Sequence, residues 1–266
     1  MKTNIVNFNN FNFEYFENDC LAKNSIGSNK EWESHITKFV KMCTIENIID
    51  VGANFGYHTV LFANEVKNNV FAFEPQQQNF QLLKNNIEHN NLKNVKIYNN
   101  ACGNDNFKVK MPLISELTHK NINMGDFTPN YIYDKNYSVV DTVLLDDICF
   151  DYKIDLIKID VQGYEKHVIL GAKNILKIHK PILIVEFESF QLHKTGTTCK
   201  ELFDFIRSNN YYIFYLEYRY PSDHVCVHVD NLENFRKTFS DFIFPHTVTN
   251  TINNNLEHGV TEKITF

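Results

Sequence analysis

Carboxylates stand at the ends of four apolar runs in this chain: Asp50 in Ile48-Ile49-Asp50-Val51, Glu74 after Val70-Phe71-Ala72-Phe73, Asp160 after Ile154-Asp155-Leu156-Ile157-Lys158-Ile159, and Glu186 in Pro181-Ile182-Leu183-Ile184-Val185-Glu186. The first run leads into Gly52-Ala53-Asn54-Phe55-Gly56-Tyr57-His58-Thr59. Gly52 and Gly56 permit positive φ and let a ligand approach the backbone closely. A helix starting near Tyr57 directs free N–H groups and a positive dipole end at that ligand, a setting that suits a carboxylate or phosphate. The spacing is Gly-x-x-x-Gly, not the Gly-x-Gly-x-x-Gly of nicotinamide-dinucleotide sites. An acid at the end of the following strand, Glu74, can accept from both hydroxyls of a ribose; its plainer reading is an exposed carboxylate at a strand end. Asp160 can hold a cationic part of a ligand or a reacting hydroxyl, or can cap the helix that starts near Tyr164. Lys158 lies inside an apolar strand and must reach a carboxylate or extend outward.

The elements that carry these residues follow a strand–helix rhythm. Buried β-branched runs at 47–51, 70–73, 95–98 and 154–160 suit a parallel sheet. A helix near 57–67 and one with a single apolar stripe over 77–90 lie between the first three, which implies right-handed crossovers and helices on both faces. Later come a strand at 181–188, a helix at 198–209, a strand at 211–216, and an alternating run at 224–229 expected as an antiparallel edge strand. Gly171 signals close packing or an early end to the helix after Tyr164. Residues 1–44 are expected to be an extension with a short hairpin near Phe11–Phe16 and a helix over 31–43. Residues 45–230 form the main domain, and 231–266 a partly helical, otherwise polar extension. Within the domain, 104–150 breaks the rhythm: strands at 108–111 and 139–143 flank a long loop, the usual mark of a functional segment. Trp32, at helical spacing with Ile36, Phe39 and Val40, fits core packing; covering a ligand is the alternative.

The chain has 266 residues, 43% of them hydrophobic, enough for a sizeable core. A net charge of −6 supplies no global basic field, so no nucleic-acid partner is expected. No apolar run is long enough to cross a bilayer. The N-terminus lacks a signal-peptide layout, and six scattered cysteines have neither zinc nor redox spacing. Together these give the expectation of a cytoplasmic protein with reduced thiols. They assign no metal site and no oligomeric state.

Asp50-Val51-Gly52-Ala53-Asn54-x-Gly56-Tyr57-x-Thr59, Phe73-Glu74-Pro75, Leu145-Asp146-Asp147, Ile157-Lys158-Ile159-Asp160-Val161-x-Gly163-x-Glu165 and Glu186 together resemble the FkbM family of S-adenosylmethionine-dependent methyltransferases. The resemblance covers roughly 45–190. It implies a class I methyltransferase, Rossmann-like three-layer α/β sandwich with a mostly parallel seven-stranded sheet. It also implies S-adenosyl-L-methionine as cofactor and methyl transfer to oxygen, on a sugar, glycan or related small molecule. Cofactor contacts are then expected from Asp50, Gly52, Asn54, Gly56, Tyr57, Thr59, Glu74 and Asp160, with adenine near Asn100, Ala101 and Cys102. Gln162 stands where many relatives carry Glu.

Transfer to a hydroxyl needs alignment of donor and acceptor and a base or metal for the proton. Asp160, Glu186 and His193 are the candidate catalytic residues, with Glu188 and His119 behind them; Glu165 and Glu186 are alternatively partners of Lys158. The 104–150 segment supplies Tyr131, Tyr133, Tyr137, Asn121, Asn123, Asn130 and Asn136, types that cover and hydrogen-bond a sugar ring. Rival readings are a nucleic-acid methyltransferase, disfavoured by the acidic balance and the lack of an Asn/Asp-Pro-Pro-aromatic motif, and a non-catalytic cofactor-binding scaffold or partner subunit. A nicotinamide oxidoreductase is disfavoured by the glycine spacing.

Overall fold

The computed structural model describes residues 1–113, 123–130, 137–148, 150–216 and 222–239. Its centre is a seven-stranded sheet. In chain order the strands are β3 (Asn47–Val51), β4 (Asn69–Phe73), β5 (Val95–Tyr98), β9 (Leu156–Ile159), β10 (Ile182–Phe187), β11 (Tyr211–Tyr215) and β12 (Ser222–His228). In space they run β11-β12-β10-β9-β3-β4-β5. β5, β4, β3, β9 and β10 pair in parallel, while β12 is antiparallel to both β10 and β11. The antiparallel strand expected at the edge therefore lies one place in, and β11 is the edge. β11 and β12 form an antiparallel pair, and it is the later arm that docks beside β10.

Alternation along the strands sends successive side chains to opposite faces. Ile49, Val51, Phe71, Ile157, Leu183 and Val185 pack against α5 (Glu165–Leu170), α6 (Lys173–His179) and α8 (Cys199–Ser208). Ile48, Val70, Leu156 and Ile184 pack against α2 (Ser34–Met42), α3 (Tyr57–Glu65) and α9 (Leu232–Phe239). The C-terminal extension thus begins with a docked helix: Phe239 lies 5.2 Å from Phe39, ring to ring. The remaining helices are α1 (Cys20–Asn24), α4 (Gln77–His89) and α7 (Ser189–Lys194). No helix among the described residues is long and apolar enough to cross a membrane.

The first thirty residues are more regular than their composition suggests. β1 (Thr3–Phe8) and β2 (Phe11–Phe16) make a hairpin. Its turn residues, Asn9 and Asn10, have φ of 50° and 68°, the geometry of tight hairpin turns that Asn tolerates. Asn86 of α4 fixes this hairpin: its amide donates to the carbonyls of Glu14 (2.9 Å) and Phe55 (2.7 Å), and its Oδ1 accepts from the Glu14 N–H.

The expected strands of the 104–150 segment are present as β7 (Lys108–Pro112) and β8 (Tyr137–Val143), which pair antiparallel and join β6 (Ala101–Cys102) in a separate three-stranded sheet. His119, Asn121, Tyr131, Tyr133 and Asn136 lie outside the described residues.

Gly171 ends α5 and separates it from α6. A Cβ there would stand 1.8 Å from the carbonyl oxygen of Gly103, so this glycine lets helix backbone meet loop backbone. Gly171→Ala is expected to cost about 2–3 kcal/mol, in the range of forced overpacking, measured as a lowered urea midpoint with an unchanged m-value.

Candidate functional site

At the carboxyl ends of the parallel strands the structure has a cavity of about 370 Å³, in the size range of small-molecule sites. Its floor is the glycine turn. Gly52 has φ +81°, and a Cβ there would meet the Asp160 carbonyl oxygen at 1.8 Å. Only glycine lets the ends of β3 and β9 approach so closely. The Gly52 and Ala53 N–H groups both donate to the Phe73 carbonyl (3.0 Å), and the Asn54 N–H donates to Glu74 Oε2 (2.8 Å). Glu74 Oε1 accepts from the Gln76 N–H (2.8 Å). Glu74 is thus a buried carboxylate held by two amides. Burial pushes its pKa up against those bonds, to about 7.

The expected cofactor residues divide into two sets. Gly52, Asn54, Tyr57, Glu74, Asn100, Ala101 and Asp160 line the cavity. Asp50, Gly56 and Thr59 do not line it. Gly56 (φ +91°) starts α3, and a Cβ there would meet Leu83 Cδ1 at 2.6 Å, so it serves the packing of α3 on α4. Asp50 is fully buried, and Thr59 Oγ1 donates to its Oδ2 (2.6 Å). Both act on Lys158. In the β3–β9 register Asp50 stands opposite Lys158, and the ammonium lies 3.6 Å from Asp50 Oδ1 and 3.5 Å from Asp160 Oδ2. Burial alone would lower the Lys158 pKa, but Asp160, Asp50, Glu33 and Asp223 together hold it above its ordinary value. Lys158 both makes an ion pair and lines the cavity.

Glu165 does not hold Lys158. Its Oε1 accepts from the N–H groups of Val161 and Gly163 (3.1 Å each), fixing the turn after β9. Glu186 does not pair with Lys158 either; it lines the cavity near Asp160. Gln162, at φ +54°, bridges the two: its Nε2 donates to Asp160 Oδ1 (2.9 Å) and lies 3.3 Å from Glu186 Oε2. A glutamate at 162 would present a third carboxylate where an amide donor is needed. Burial first, then the charges of Asp160, Asp223, Glu165 and Glu33, raise the Glu186 pKa well above the ordinary range.

His193 is exposed on the six-residue α7, with its Nδ1 2.6 Å from the Ser189 carbonyl, and does not line the cavity. The short helix after β10 turns it outward, so it is not placed to act as a base there. Asn123 lines the cavity; Asn130 and Tyr137 do not, Asn130 bonding the Lys110 backbone and Tyr137 lying under the Lys110 ammonium. Trp32 combines both of its readings: half-buried against the core, stacked 6.1 Å from Phe55, and part of the cavity wall.

Sequence reasoning missed Glu33 and His58, which line the cavity and are joined by a 2.7 Å contact between Glu33 Oε2 and His58 Nε2. It also missed His35–Asp223, a 2.6 Å contact beside them. His58 sits between Tyr57 and Thr59 at a place to which the glycine motif assigns no residue, and Glu33 is one acid among many before a helix. Only the fold brings them together.

Two measurements test this electrostatic arrangement. Lys158→Met strands Asp50 in the core and is expected to cost about 3–5 kcal/mol; adding Asp50→Asn is expected to restore most of it in chemical denaturation. Glu165 concerns pH. Burial, with Asp160 acting the same way, raises its pKa from 4.5 to about 7 against its backbone bonds. Between those values the folded chain binds more protons than the unfolded one, so stability falls as pH rises through the window. Glu165→Gln removes that contribution. The loss of stability between pH 5 and 7.5 is expected to be smaller in the variant, by up to roughly 2 kcal/mol.

The family model of the methyltransferase FkbM domain matches residues 50–213. Among solved structures, the chain is similar to methyltransferase FkbM from Methylobacillus flagellatus KT, with 20% identity, a TM-score of 0.48, and coverage of 69% of this chain and 44% of that one. It therefore spans less than half the length of that protein. A putative rRNA-methylase from Clostridium thermocellum shows 12% identity, a TM-score of 0.47, and 75% and 96% coverage. A putative O-methyltransferase from Klebsiella pneumoniae shows 10% identity, a TM-score of 0.47, and 75% and 82% coverage. No curated protein matches. With more than half its length matched by the domain model, the chain belongs to the FkbM family of S-adenosyl-L-methionine-dependent methyltransferases.

Proposed function

We propose that this chain transfers a methyl group from S-adenosyl-L-methionine to a hydroxyl of a sugar, glycan or related small molecule. The observation that carries the reading is the lateral order of polar groups along the cavity. The sheet order places Glu186, Asp160, Gly52 and Glu74 side by side at the ends of β10, β9, β3 and β4, with Asn100–Cys102 following β5. That row suits an elongated ligand with a flat ring at one end and charge at the other.

The residues fit the cofactor. Glu74 spends one lone pair of each oxygen on a backbone N–H and keeps acceptor capacity for ribose hydroxyls. Asn100, Ala101 and Cys102 leave room for adenine, and the backbone of Gly52–Asn54 meets the ligand with little side-chain bulk. Bound cofactor supplies an electrophilic methyl group on a sulfonium. Asp160 and Glu186, linked through Gln162, flank the acceptor side and orient the hydroxyl. Asp50 and Thr59 act from behind through Lys158.

The wall bears on the acceptor class. Among the described residues six lining acids, Glu33, Glu74, Asp126, Asp160, Glu186 and Glu188, accompany one lysine. Even with Glu186 and Glu188 shifted toward their neutral forms, a wall with so few cations is poorly suited to phosphate and favours uncharged polyhydroxyl acceptors over nucleic acid. A cytoplasmic setting belongs to this reading: the six cysteines are scattered singly through the sequence, with neither zinc nor redox spacing.

The test is an assay of labelled cofactor with free sugars, glycans, nucleotide-linked sugars, RNA and DNA. Uncharged sugars or glycans are expected to accept label. Asp160→Asn is expected to lower their rate by about tenfold or more. In calorimetry, Glu74→Ala is expected to weaken cofactor affinity by roughly tenfold, the worth of one or two hydrogen bonds. Label on RNA or DNA alone would favour the nucleic-acid reading, and cofactor binding without any transfer would favour the scaffold. Unchanged affinity in Glu74→Ala would remove the ribose role.

A further inference from the structure

Residues 21–33 precede the matched domain, yet Leu21, Trp32 and Glu33 form part of the cavity wall. They are fixed there. The Trp32 N–H donates to the Tyr57 hydroxyl (3.2 Å). The chain then bends sharply at Glu33, with φ 45° and ψ 48°. Left-handed backbone is costly for a residue with a Cβ, about 1–2 kcal/mol, and such conformations cluster where a side chain must be aimed. Just beyond the bend, His35 anchors α2 to Asp223 of β12.

The aimed side chain is a carboxylate backed by an imidazole. Glu33 Oε2 bonds His58 Nε2 at 2.7 Å; the His58 side chain is 6% exposed and the Glu33 side chain 23%. Glu33 Oε1 is not closed off in this way: it accepts no hydrogen bond among the described residues, and Glu33 lines the cavity. We propose that Glu33, held by His58, takes the proton from the acceptor hydroxyl during methyl transfer, which makes the N-terminal extension part of the catalytic site. This rests on the hydroxyl-acceptor reading above.

The other carboxylates of the wall are engaged elsewhere, Asp126 by the amide of Gln191, which donates to its Oδ1. Asp160 is shared by Lys158 and Gln162, and Glu74 by two backbone amides. Glu186 and Glu188 are biased toward their protonated forms, in each case by burial first and then by neighbouring acids. Glu33 differs in sign. Burial would raise its pKa, but the His58 hydrogen bond and the charges of His58, Lys158 and His35 bring it below the ordinary value. The groups facing it are thus His58 of α3, Lys158 of β9 and His35 of α2, with Asp160, Glu186 and Asp223 on the neighbouring strand ends. An ionised carboxylate is a weak base, and a weak base suffices here. As the acceptor oxygen bonds the methyl carbon, the carbon–sulfur bond breaks with its electron pair left on sulfur, and the oxygen becomes strongly acidic. Its proton passes to Glu33, which becomes neutral as the sulfonium charge is lost.

The experiment compares wild type, Glu33→Gln, Glu33→Ala and His58→Gln. Trp32, the single tryptophan, reports cofactor binding by its fluorescence independently of turnover. Wild type is first assayed with the sugar and glycan panel. In Glu33→Gln, kcat for the best acceptor is expected to fall by about 100-fold or more while cofactor affinity stays within about twofold, the signature of a lost general base. Added formate is expected to restore part of the rate in Glu33→Ala, and His58→Gln to show a smaller loss with a shifted pH profile. A Glu33→Gln enzyme that binds cofactor and turns over within about twofold of wild type overturns the proposal. So does a loss of cofactor affinity that accounts for the rate and is not relieved by formate, because Glu33 would then be a binding contact. A wild type that labels no hydroxyl acceptor removes the hydroxyl reading and this proposal with it. That outcome is seen before any variant is assayed.

Discussion

A lysine ammonium buried between two strands sets the terms for everything at the carboxyl end of this sheet. Lys158 is 2% exposed in the middle of β9. Isolated there it would be forced to lose its proton or the strand to open. Asp50 across the strand pair and Asp160 two residues further on keep it charged, and Thr59 takes up the second Asp50 oxygen. The arrangement needs β3 and β9 in one register, since a one-residue slip would turn Lys158 toward the opposite face. The charge that is expensive to bury thereby defines the register that brings Gly52 against Asp160 and forms the cavity floor.

The same charge orders the acids around it. The carboxylates at the ends of β9, β10 and β12 stand close enough to raise one another, as the upward shifts of Glu186 and Asp223 show, with burial the larger cause in both. Lys158 offsets one of them. Gln162 supplies an amide donor between that one, Asp160, and Glu186, and His35 and His58 bond Asp223 and Glu33. The result, among the described residues, is an acidic wall whose members each have a partner and which is collectively short of positive charge. A wall of that kind favours a cationic or uncharged occupant over a phosphate-bearing one.

The extension before the domain belongs to the same structure. The β1–β2 hairpin is held by Asn86, α1 is capped by Asp19, and the chain reaches the cavity at Trp32 and Glu33 through stacking on Phe55 and bonds to Tyr57 and His58. Its aromatic, Asn-rich sequence shows little periodicity because its regularity lies in turns. Asn9, Asn10 and Asn29 all adopt positive φ, which Asn accepts more readily than most residues.

Much of the fold was legible because it depends on local pattern. The β-branched runs, the glycines at 52, 56 and 171 and the strand–helix alternation each carry a period or a conformational demand that survives in one dimension. The position of Gly52, Asn54, Glu74 and Asp160 at the carboxyl end of the sheet was legible for the same reason: a strand end and a turn place them wherever the sheet forms. Residues whose position depends on partners far along the chain were not. Asp50, Gly56 and Thr59 share the motif, yet strand alternation and helix packing turn them inward to Lys158 and Leu83. His193 has suitable chemistry but faces away on a short helix. Glu33 and His58 carry no pattern at all. Alternation and turn geometry are properties of neighbours in the chain, and the sequence by itself determined them. The meeting of an acid at 33, a histidine at 58 and the end of a sheet is a property of packing, and only the tertiary structure decided it.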